Sequence, residues 1–278
     1  MKQRLAFQAA ILIPLIALAS PQFSEADIDL ASGFWSTTYN CPDQQQGDGV
    51  WMTCDGLGRY GDWTVSTGQA EQITPLANRA AGSGGSGQRH WIGSGRNSNS
   101  GSAQFCLTSP QPELWIRYYT RWQPGYFMSG QQAQKMVYSH APGTRPYIDT
   151  YGEDGIRVVT NSTIFTSTSG VWRTMMGGQA SDGRWHEFQF HLKAAAANGG
   201  GDVWVDGRKV LSFTGFDWGS ITGWQCFGYP ENVDSNATGS TIYQDVDDLA
   251  ISTRGYIPSS NSGSTVSPPP SPQNLTVQ

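Results

Sequence analysis

The chain has 278 residues, of which 14% are charged, 12% are aromatic and 34 are glycines, and its formal net charge is −5. Low charge with abundant glycine is typical of a turn-rich β protein outside the cell and argues against a helical cytosolic enzyme. Because no basic run occurs, we expect no nucleic-acid partner, and the acidic balance also argues against long polyanionic ligands.

Residues 1–26 have the pattern of a secretory signal peptide. Lys2 and Arg4 precede the apolar run 9–19, and small residues allow cleavage after residue 19 or after residue 26. The run is too short to span a bilayer, and no later segment is apolar enough to do so. The sequence therefore predicts a secreted, periplasmic or cell-surface protein without a membrane span.

Four cysteines follow this segment, and an oxidising compartment favours two disulfides over free thiols. Cys41 and Cys54 are close in sequence, so we expect them to clip an N-terminal segment, residues 27–61. Cys106 and Cys226 would then join two distant strands, although three connectivities are formally open. A metal site would need tighter cysteine spacing than this chain has.

Residues 62–258 are expected to form one β domain, because strand-like alternation begins near Asp62 and continues to Pro258. Predicted strands in its first part cover residues 63–65, 89–92, 104–107, 113–122, 134–140, 146–151 and 155–160. On residues 134–140 the alternation places Met136, Tyr138 and His140 on one face.

Residues 113–122, ELWIRYYTRW, have the strongest strand pattern in this part of the chain. One face would carry Leu114, Ile116, Tyr118, Thr120 and Trp122, and the other would carry Trp115, Arg117, Tyr119 and Arg121. The second set combines aromatic and cationic side chains. It is either a ligand-binding face or a solvated outer face of a sheet.

Residues 181–213 predict an antiparallel meander. A strand over residues 185–193 is followed by a loop over 194–201, a short strand over 202–205, an Asp206-Gly207 turn and a return strand over 208–213. No window shows sustained helical periodicity apart from the short run 194–197. Strands of this length and spacing predict an all-β sandwich.

The last part of the chain changes in composition. Residues 259–278 carry no charge and are rich in serine and proline, which predicts an extended linker. The final residues resemble the lead-in to a fibronectin type III domain. This resemblance implies a downstream domain of that type as a partner.

The phrase GRWHEF…DVWVDGRKV, at residues 183–188 and 202–210, resembles a signature of the concanavalin A-like lectin/glucanase superfamily. The closing segment TIYQDVDDLAISTRGYIP, at residues 241–258, is also similar to that superfamily. The likeness implies a jelly-roll β-sandwich of two antiparallel sheets with a polysaccharide as its partner. It covers residues 113–258 well and residues 62–112 loosely.

Residues 113–138 also resemble the strand–loop–strand of jelly-roll polysaccharide lyases, in which a lysine follows the loop, as Lys135 does here. Such enzymes need a base, a group that neutralises a uronate carboxylate, and a proton donor for the leaving oxygen. The candidate catalytic residues are Tyr138, His140, Arg117 and Tyr147, which we expect to share one groove. Two alginate-lyase signatures, R-(S/T)-E-x-R and Q-I-H, are absent, so roles are not carried over residue by residue.

Carbohydrate binding requires aromatic platforms flanked by polar groups. The candidate substrate-binding residues are Trp115, Tyr119, Arg121, Lys135, Tyr151, Gln189 and His191. A non-catalytic lectin-like or adhesion module, or a purely structural surface domain, would use the same fold. Glycoside hydrolysis is disfavoured because no strand carries the paired carboxylates that a retaining glycosidase needs.

An acidic strand near the end of the domain is a candidate calcium site. Asp245, Asp247 and Asp248 supply the oxygen ligands that Ca²⁺ prefers, and the superfamily resemblance implies a structural ion in such a place. The alternative is a solvated acidic end of a surface strand.

Overall fold

The computed structural model describes fifteen stretches of the chain and shows a β-sandwich. These stretches are residues 30–36, 44–46, 50–52, 59–60, 70–72, 88–92, 102–124, 133–139, 146–151, 155–160, 163–168, 182–195, 198–218, 221–229 and 242–259. Two antiparallel sheets of eight and seven strands account for nearly all of this part of the chain.

The eight-stranded sheet has the strand order β15-β14-β13-β8-β17-β6-β5, with β1 also paired to β17. Its strands are β1 (Phe34–Ser36), β5 (Ala70–Gln72), β6 (Gln88–Ile92), β8 (Glu113–Trp122), β13 (His186–Lys193), β14 (Gly199–Val205), β15 (Arg208–Phe216) and β17 (Ile242–Ser252).

The seven-stranded sheet has the order β12-β11-β10-β9-β16-β7-β4. Its strands are β4 (Arg59–Tyr60), β7 (Ser102–Gln111), β9 (Ala133–Ser139), β10 (Tyr147–Tyr151), β11 (Gly155–Thr160), β12 (Thr163–Thr168) and β16 (Trp224–Gly228). A separate hairpin pairs β2 (Gln44–Gln46) with β3 (Val50–Met52). The predicted strand at residues 63–65 lies outside the described residues.

The predicted fold class, an all-β jelly-roll-type sandwich of two antiparallel sheets, is confirmed. The chain changes sheet between β4 and β5, β6 and β7, β7 and β8, β8 and β9, β12 and β13, β15 and β16, and β16 and β17. These crossings bring segments that are far apart in sequence into one core. Across the described stretches, no helix is long and apolar enough to cross a membrane.

The alternation predicted for residues 113–122 determines which face of β8 is buried. Its even-numbered side chains, among them Leu114, Ile116 and Tyr118, point between the sheets and are almost fully inaccessible. Phe188 and Phe190 on β13 join them, and the two rings stack on each other. Burial of this apolar face against the second sheet stabilises the sandwich by about 1.5–3 kcal/mol per large side chain.

A buried chain of polar side chains also links the two sheets. The indole nitrogen of Trp122 donates to Gln134 Oε1 at 2.7 Å, and the Gln134 amide in turn donates to Gln244. Gln244 Nε2 then donates to Thr120 Oγ1 at 2.8 Å. Because buried amides are costly when unpaired, this chain favours one register of β9 against β8 and β17.

The predicted meander is present, but β14 begins three residues earlier than expected. A Cβ on Gly201 would lie 2.2 Å from the carbonyl oxygen of His191, and one on Gly200 would lie 2.4 Å from that of Phe213. The glycine run therefore pairs within the sheet, since only glycine permits this approach to the neighbouring backbones. Asp206 and Gly207 both have positive φ, as the predicted two-residue turn requires.

His186 is held at the end of this meander between two carboxylates. Its Nδ1 lies 2.9 Å from Asp206 Oδ2, and its Nε2 lies 3.1 Å from Asp182 Oδ1. Burial opposes the charged imidazolium, but the hydrogen bonds and charges of Asp206 and then Asp182 outweigh it and raise the pKa of His186.

The predicted Cys106–Cys226 disulfide is confirmed, with a Cα–Cα distance of 4.1 Å. It joins β7 to β16, where the two cysteines are register partners beside the stacked core rings of Phe105 and Phe227. Since side chains alternate along a strand, the disulfide lies on the outer face of the seven-stranded sheet. Cys41 and Cys54 lie outside the described residues, so their pairing stays a prediction.

After β17 the chain crosses the outer face of the eight-stranded sheet, and we refer to residues 253–259 as the C-terminal strap. Its start is joined to the first described segment, because Thr253 N donates to Gly33 O at 3.1 Å. Gln189 then binds both backbone groups of Ile257, accepting from its nitrogen at 2.7 Å and donating to its oxygen at 3.0 Å. The strap therefore binds the middle of the sheet through one glutamine.

Candidate functional site

The outer face of the seven-stranded sheet carries three of the predicted site residues. Tyr138 on β9 and Tyr147 on β10 are register partners, and Lys135 lies earlier on β9. The Lys135 ammonium is 4.5 Å from the ring centroid of Tyr138 and 5.1 Å from that of Tyr147. We refer to these three side chains as the lysine–tyrosine cluster.

A β-bulge determines which face these side chains occupy. Ile148 pairs with Val137 and Asp149 pairs with Lys135, so Met136 is the extra residue on β9. Met136 and Val137 both contribute to the core. The prediction that Met136 and Tyr138 share a face is therefore wrong, because the bulge changes the alternation between them.

The two tyrosine rings are 6.0 Å apart between centroids and tilted by 43°. Tyr138 is only 8% exposed, whereas Tyr147 is partly exposed. A cation over two phenol rings gives cation–π attraction and places positive charge beside two groups that can donate or accept a proton.

A second charged pair continues the face next to Lys135. Asp149 is buried and forms a bidentate pair with Arg157 on β11, with Arg157 Nε donating to Asp149 Oδ1 at 2.9 Å. Lys135, Asp149 and Arg157 thus form one cross-strand row, and Tyr138 and Tyr147 lie in the next row. The sequence reasoning missed Arg157, although the hairpin pairing of 147–151 with 155–160 places it opposite Asp149.

Arg117 does not join this cluster, so the predicted groove shared by Tyr138, Tyr147 and Arg117 is wrong. Arg117 lies on β8 of the other sheet, and its side chain points away from the core. There its Nη1 donates to the carbonyl oxygen of Pro258 in the C-terminal strap. The alternation of β8 correctly separated Arg117 from the core, but the two sheets place it on the opposite side of the sandwich from Tyr138.

Tyr119 and Gln189 share this strap-covered face with Arg117. The hydroxyl of Tyr119 donates to Glu187 Oε2 at 2.5 Å, and the Arg117 guanidinium lies 5.6 Å from the Tyr119 ring centroid. Burial raises the pKa of the strap residue Tyr256, and the negative charge of Glu187 adds to this effect. The predicted binding residues on this face are therefore engaged with one another and with the strap.

Trp115 and His191 lie on the same outer face, nearer the other end of the strands. Their rings stack with centroids 4.4 Å apart and planes 5° from parallel. His191 Nε2 lies 2.7 Å from Glu113 Oε1, and its Nδ1 lies 2.9 Å from Asp202 Oδ2. Although burial raises the pKa of Asp202, hydrogen bonds to His191 and Lys209 lower it to about 2. Both ring nitrogens of His191 therefore have carboxylate partners within the sheet.

The three aspartates predicted to bind calcium are all buried on β17. Asp245 accepts from Arg121 Nε at 2.9 Å, and Arg121 also lies over the ring of Trp185 at 4.7 Å. Asp247 Oδ1 accepts from the backbone nitrogen of Asp248, whose φ is positive. No group of three or more His, Cys, Asp or Glu side chains that could hold a metal ion occurs in the described stretches.

These aspartates do not by themselves fit a calcium site, because Asp245 serves as the partner of Arg121. A calcium ion at Asp245, Asp247 or Asp248, with backbone carbonyls from the N-terminal part of the domain, therefore stays a prediction. His140 lies outside the described residues, as does the side chain of Tyr151.

Comparisons with known proteins give architectural likeness only. No family model matches the chain, and no curated protein sequence matches it. Similar solved structures include alginate lyase Aly36B, at 11% identity and a TM-score of 0.48, covering 80% of this chain and 97% of that chain. A GH131 β-glucanase catalytic domain from Podospora anserina has 12% identity and a TM-score of 0.46, covering 78% of this chain and 87% of that chain.

A third similar structure is one of botulinum neurotoxin type C, at 11% identity and a TM-score of 0.46. The match covers 76% of this chain and 47% of that chain. Identities this low concern the arrangement of strands, and none of the three assigns an activity to this chain.

Proposed function

We propose that the protein is a secreted polysaccharide lyase that cleaves a uronate-containing glycan at the lysine–tyrosine cluster. The observation that carries the proposal is the position of the Lys135 ammonium, 4.5 and 5.1 Å from the rings of two neighbouring tyrosines. β-Elimination next to a carboxylate requires a positive charge to stabilise that carboxylate, a base and a proton donor, and the cluster contains one lysine and two tyrosines that can take these roles.

The charge distribution supports an anionic substrate at this place despite the net charge of −5. Lys135 and Arg157 provide two cations on one sheet face, and only Asp149 lies between them in the same row. The local charge of this row is therefore positive. A uronate carboxylate would be attracted to the row while the rest of the surface stays acidic.

The proposed reaction removes the proton on C5 of the uronate and breaks the C4–O4 bond. Tyr138, as the phenolate, accepts the C5 proton, and the electron pair left on C5 forms the C4=C5 double bond as the C4–O4 bond breaks. Tyr147, as the neutral phenol, donates a proton to the departing O4 oxygen, and transfer of a proton from Tyr138 to Tyr147 then restores both groups. Lys135 stabilises the negative charge that develops on the carboxylate while C5 loses its proton. His140, predicted as a further catalytic residue, lies outside the described residues and stays a prediction.

A non-catalytic carbohydrate-binding module is the second candidate. The observation that favours it is the burial of Tyr138, which is only 8% exposed and so offers little surface to a reacting sugar. In that case the face would hold a glycan through aromatic and charged contacts without proton transfer.

An assay of uronate polymers for the ultraviolet absorbance of unsaturated ends tests the proposal. Tyr138→Phe removes the proton acceptor while it keeps the ring, so product formation should fall by at least about a hundredfold, the typical contribution of a positioned general base. Lys135→Met should have a similar effect. Lys193→Met is the matched control, since Lys193 is an exposed lysine at the end of β13 in the other sheet.

If no uronate polymer yields unsaturated ends with the parent protein, and the parent and Tyr138→Phe bind the same glycan equally, the lectin-like candidate replaces the lyase.

A signal peptide over residues 1–26, a calcium ion near Asp245 and a downstream fibronectin-type domain remain predictions. If calcium is bound, adding a chelator should lower the melting temperature, because the folded state then loses the stabilisation that the ion provides.

A further inference from the structure

Three buried polar atoms under the C-terminal strap have no hydrogen-bond partner among the residues that the structure describes. They are Arg117 Nε, Glu187 Oε1 and Trp204 Nε1, and their residues are 6%, 3% and 6% exposed. Buried donors and acceptors are nearly always paired in folded proteins, so three unpaired atoms in one place need a physical reason.

The three atoms surround one residue, Gln189. Arg117 and Trp204 are the register partners of Gln189 on the two neighbouring strands, and Glu187 lies two residues earlier on β13. Neighbouring strands are about 4.8 Å apart and alternate residues about 6.8 Å apart, so the whole set fits under two or three sugar rings. Gln189 is also the residue that binds the backbone of Ile257 in the strap.

The strap covers this face but satisfies only part of it. It supplies a carbonyl oxygen to Arg117 Nη1, two backbone groups to Gln189, and an edge-on contact between Tyr256 and Trp204 at 5.3 Å. Those contacts leave a guanidinium donor, a carboxylate oxygen and an indole donor unpaired. The strap is therefore an incomplete match for the polar groups that lie beneath it.

We propose that this face is a second binding site, for a neutral oligosaccharide, and that the strap moves away when the ligand binds. Sugar hydroxyls both donate and accept, so one ligand can accept from Arg117 Nε and Trp204 Nε1 and donate to Glu187 Oε1. Trp204 and Tyr119 provide aromatic rings on which sugar faces can stack. The site is separate from the lysine–tyrosine cluster and does not depend on the function proposed for that cluster.

The charges on this face favour a neutral ligand over an anionic one. Arg117 and Glu187 lie beneath the strap, and Lys209 pairs with Asp202 at 2.9 Å beside it. These four groups, the ones nearest Gln189, are two cations and two anions and balance one another. A uronate would place an unbalanced carboxylate near Glu187 and Asp202, which costs free energy when the groups are poorly solvated.

The test compares strap-released variants of the full chain with the parent. Ile257→Asp places a charge where a buried apolar side chain docks, and Ile257→Val is the matched control. A second variant, Tyr256→Ala with Ile257→Gly, removes the strap contacts without adding charge. Hydrogen–deuterium exchange over residues 253–259 reports release of the strap, because the Ile257 amide is hydrogen-bonded to Gln189.

Binding is measured by calorimetry with cello-, laminari- and xylo-oligosaccharides, and with oligogalacturonate as the charged comparison. We expect at least one neutral glycan to bind a released variant about tenfold or more tightly than it binds the parent, and oligogalacturonate to bind no better. Adding that glycan to the parent should speed exchange in the strap. Trp204→Phe in the released background keeps a ring but loses the indole donor, so affinity should fall about threefold to tenfold.

Three results would each overturn the inference. A strap that exchanges rapidly in either variant, while none of the neutral glycans binds, would show that the unpaired atoms are satisfied by water instead. A strap that stays protected in both variants would show that it is not a displaceable cover. An affinity that Trp204→Phe leaves unchanged would place the glycan elsewhere. Loss of lyase activity after Lys135→Met has no bearing on any of these readouts.

Discussion

Removal of the Cys106–Cys226 disulfide should lower the free energy of unfolding of the sandwich by several kcal/mol. The two cysteines are 120 residues apart, and the chain between them includes β8 to β15. A cross-link over so long a loop mainly restricts the unfolded chain. The proposed test replaces both cysteines with alanine, so that no free thiol remains at either position.

The size of the effect follows from loop-closure entropy. For a loop of this length the chain-entropy relation gives about 5 kcal/mol at 25 °C, which is an upper value because compact denatured states have less entropy to lose. For a domain of roughly 200 residues, each kcal/mol corresponds to about 2–4 °C in melting temperature. We therefore expect the variant to melt about 10–20 °C below the parent.

Denaturant unfolding, followed by tryptophan fluorescence, measures the loss directly. The parent and the alanine variant should superimpose when both are measured in strong reductant, since every disulfide is then open in both. A loss below about 1 kcal/mol would contradict the chain-entropy reasoning. Free thiols at Cys106 and Cys226 in the parent, detected by peptide mapping without reductant, would refute the pairing itself.

Three further predictions concern single residues. The pKa of His186 is raised above 6.5, so its stabilisation is complete below that pH and is lost as the pH rises through the raised value. His186→Gln should therefore flatten the fall in melting temperature that the parent shows above pH 6.5, and an unchanged slope would contradict this. Gly201→Ala should destabilise the protein by more than about 2 kcal/mol, because its Cβ would overlap a backbone oxygen of β13. The control, Gly215→Ala, should cost only the strain of a positive φ, about 1 kcal/mol. Equal losses of stability in thermal melts would refute the packing argument. Gln189→Leu removes both hydrogen bonds to the Ile257 backbone, so the hydrogen-exchange rate of the Ile257 amide should rise at least about tenfold. A rate equal to that of the parent would show that Gln189 does not hold the strap.

The alternation of residues 113–122 was sufficient to predict which face of β8 is buried. Period-2 alternation is local, because each side chain's face depends only on its position along the strand. The prediction failed at β9, where one extra residue, Met136, moves Tyr138 to the other face. A bulge depends on the register of neighbouring strands, which the local pattern of β9 does not contain.

The candidate site was predicted only in part for the same reason. Lys135, Tyr138 and Tyr147 come together because β9 and β10 are neighbours in sequence and in the sheet. Arg117 was grouped with these three residues by residue type, but it lies on the other sheet, so the core of the sandwich separates it from them. Arg157 was overlooked because only its pairing with Asp149 across a hairpin brings it to the site.

The sequence by itself determined the β-sandwich class, the buried face of β8 and the Asp206-Gly207 turn, and it favoured the pairing of Cys106 with Cys226 among three possible connectivities. Each of these depends on local alternation, on turn chemistry, or on the count and separation of the cysteines. Only the tertiary structure decided which outer face each polar side chain occupies and that the C-terminal strap covers Gln189. Those outcomes depend on sheet order and on contacts between residues far apart in the chain, which no local pattern encodes.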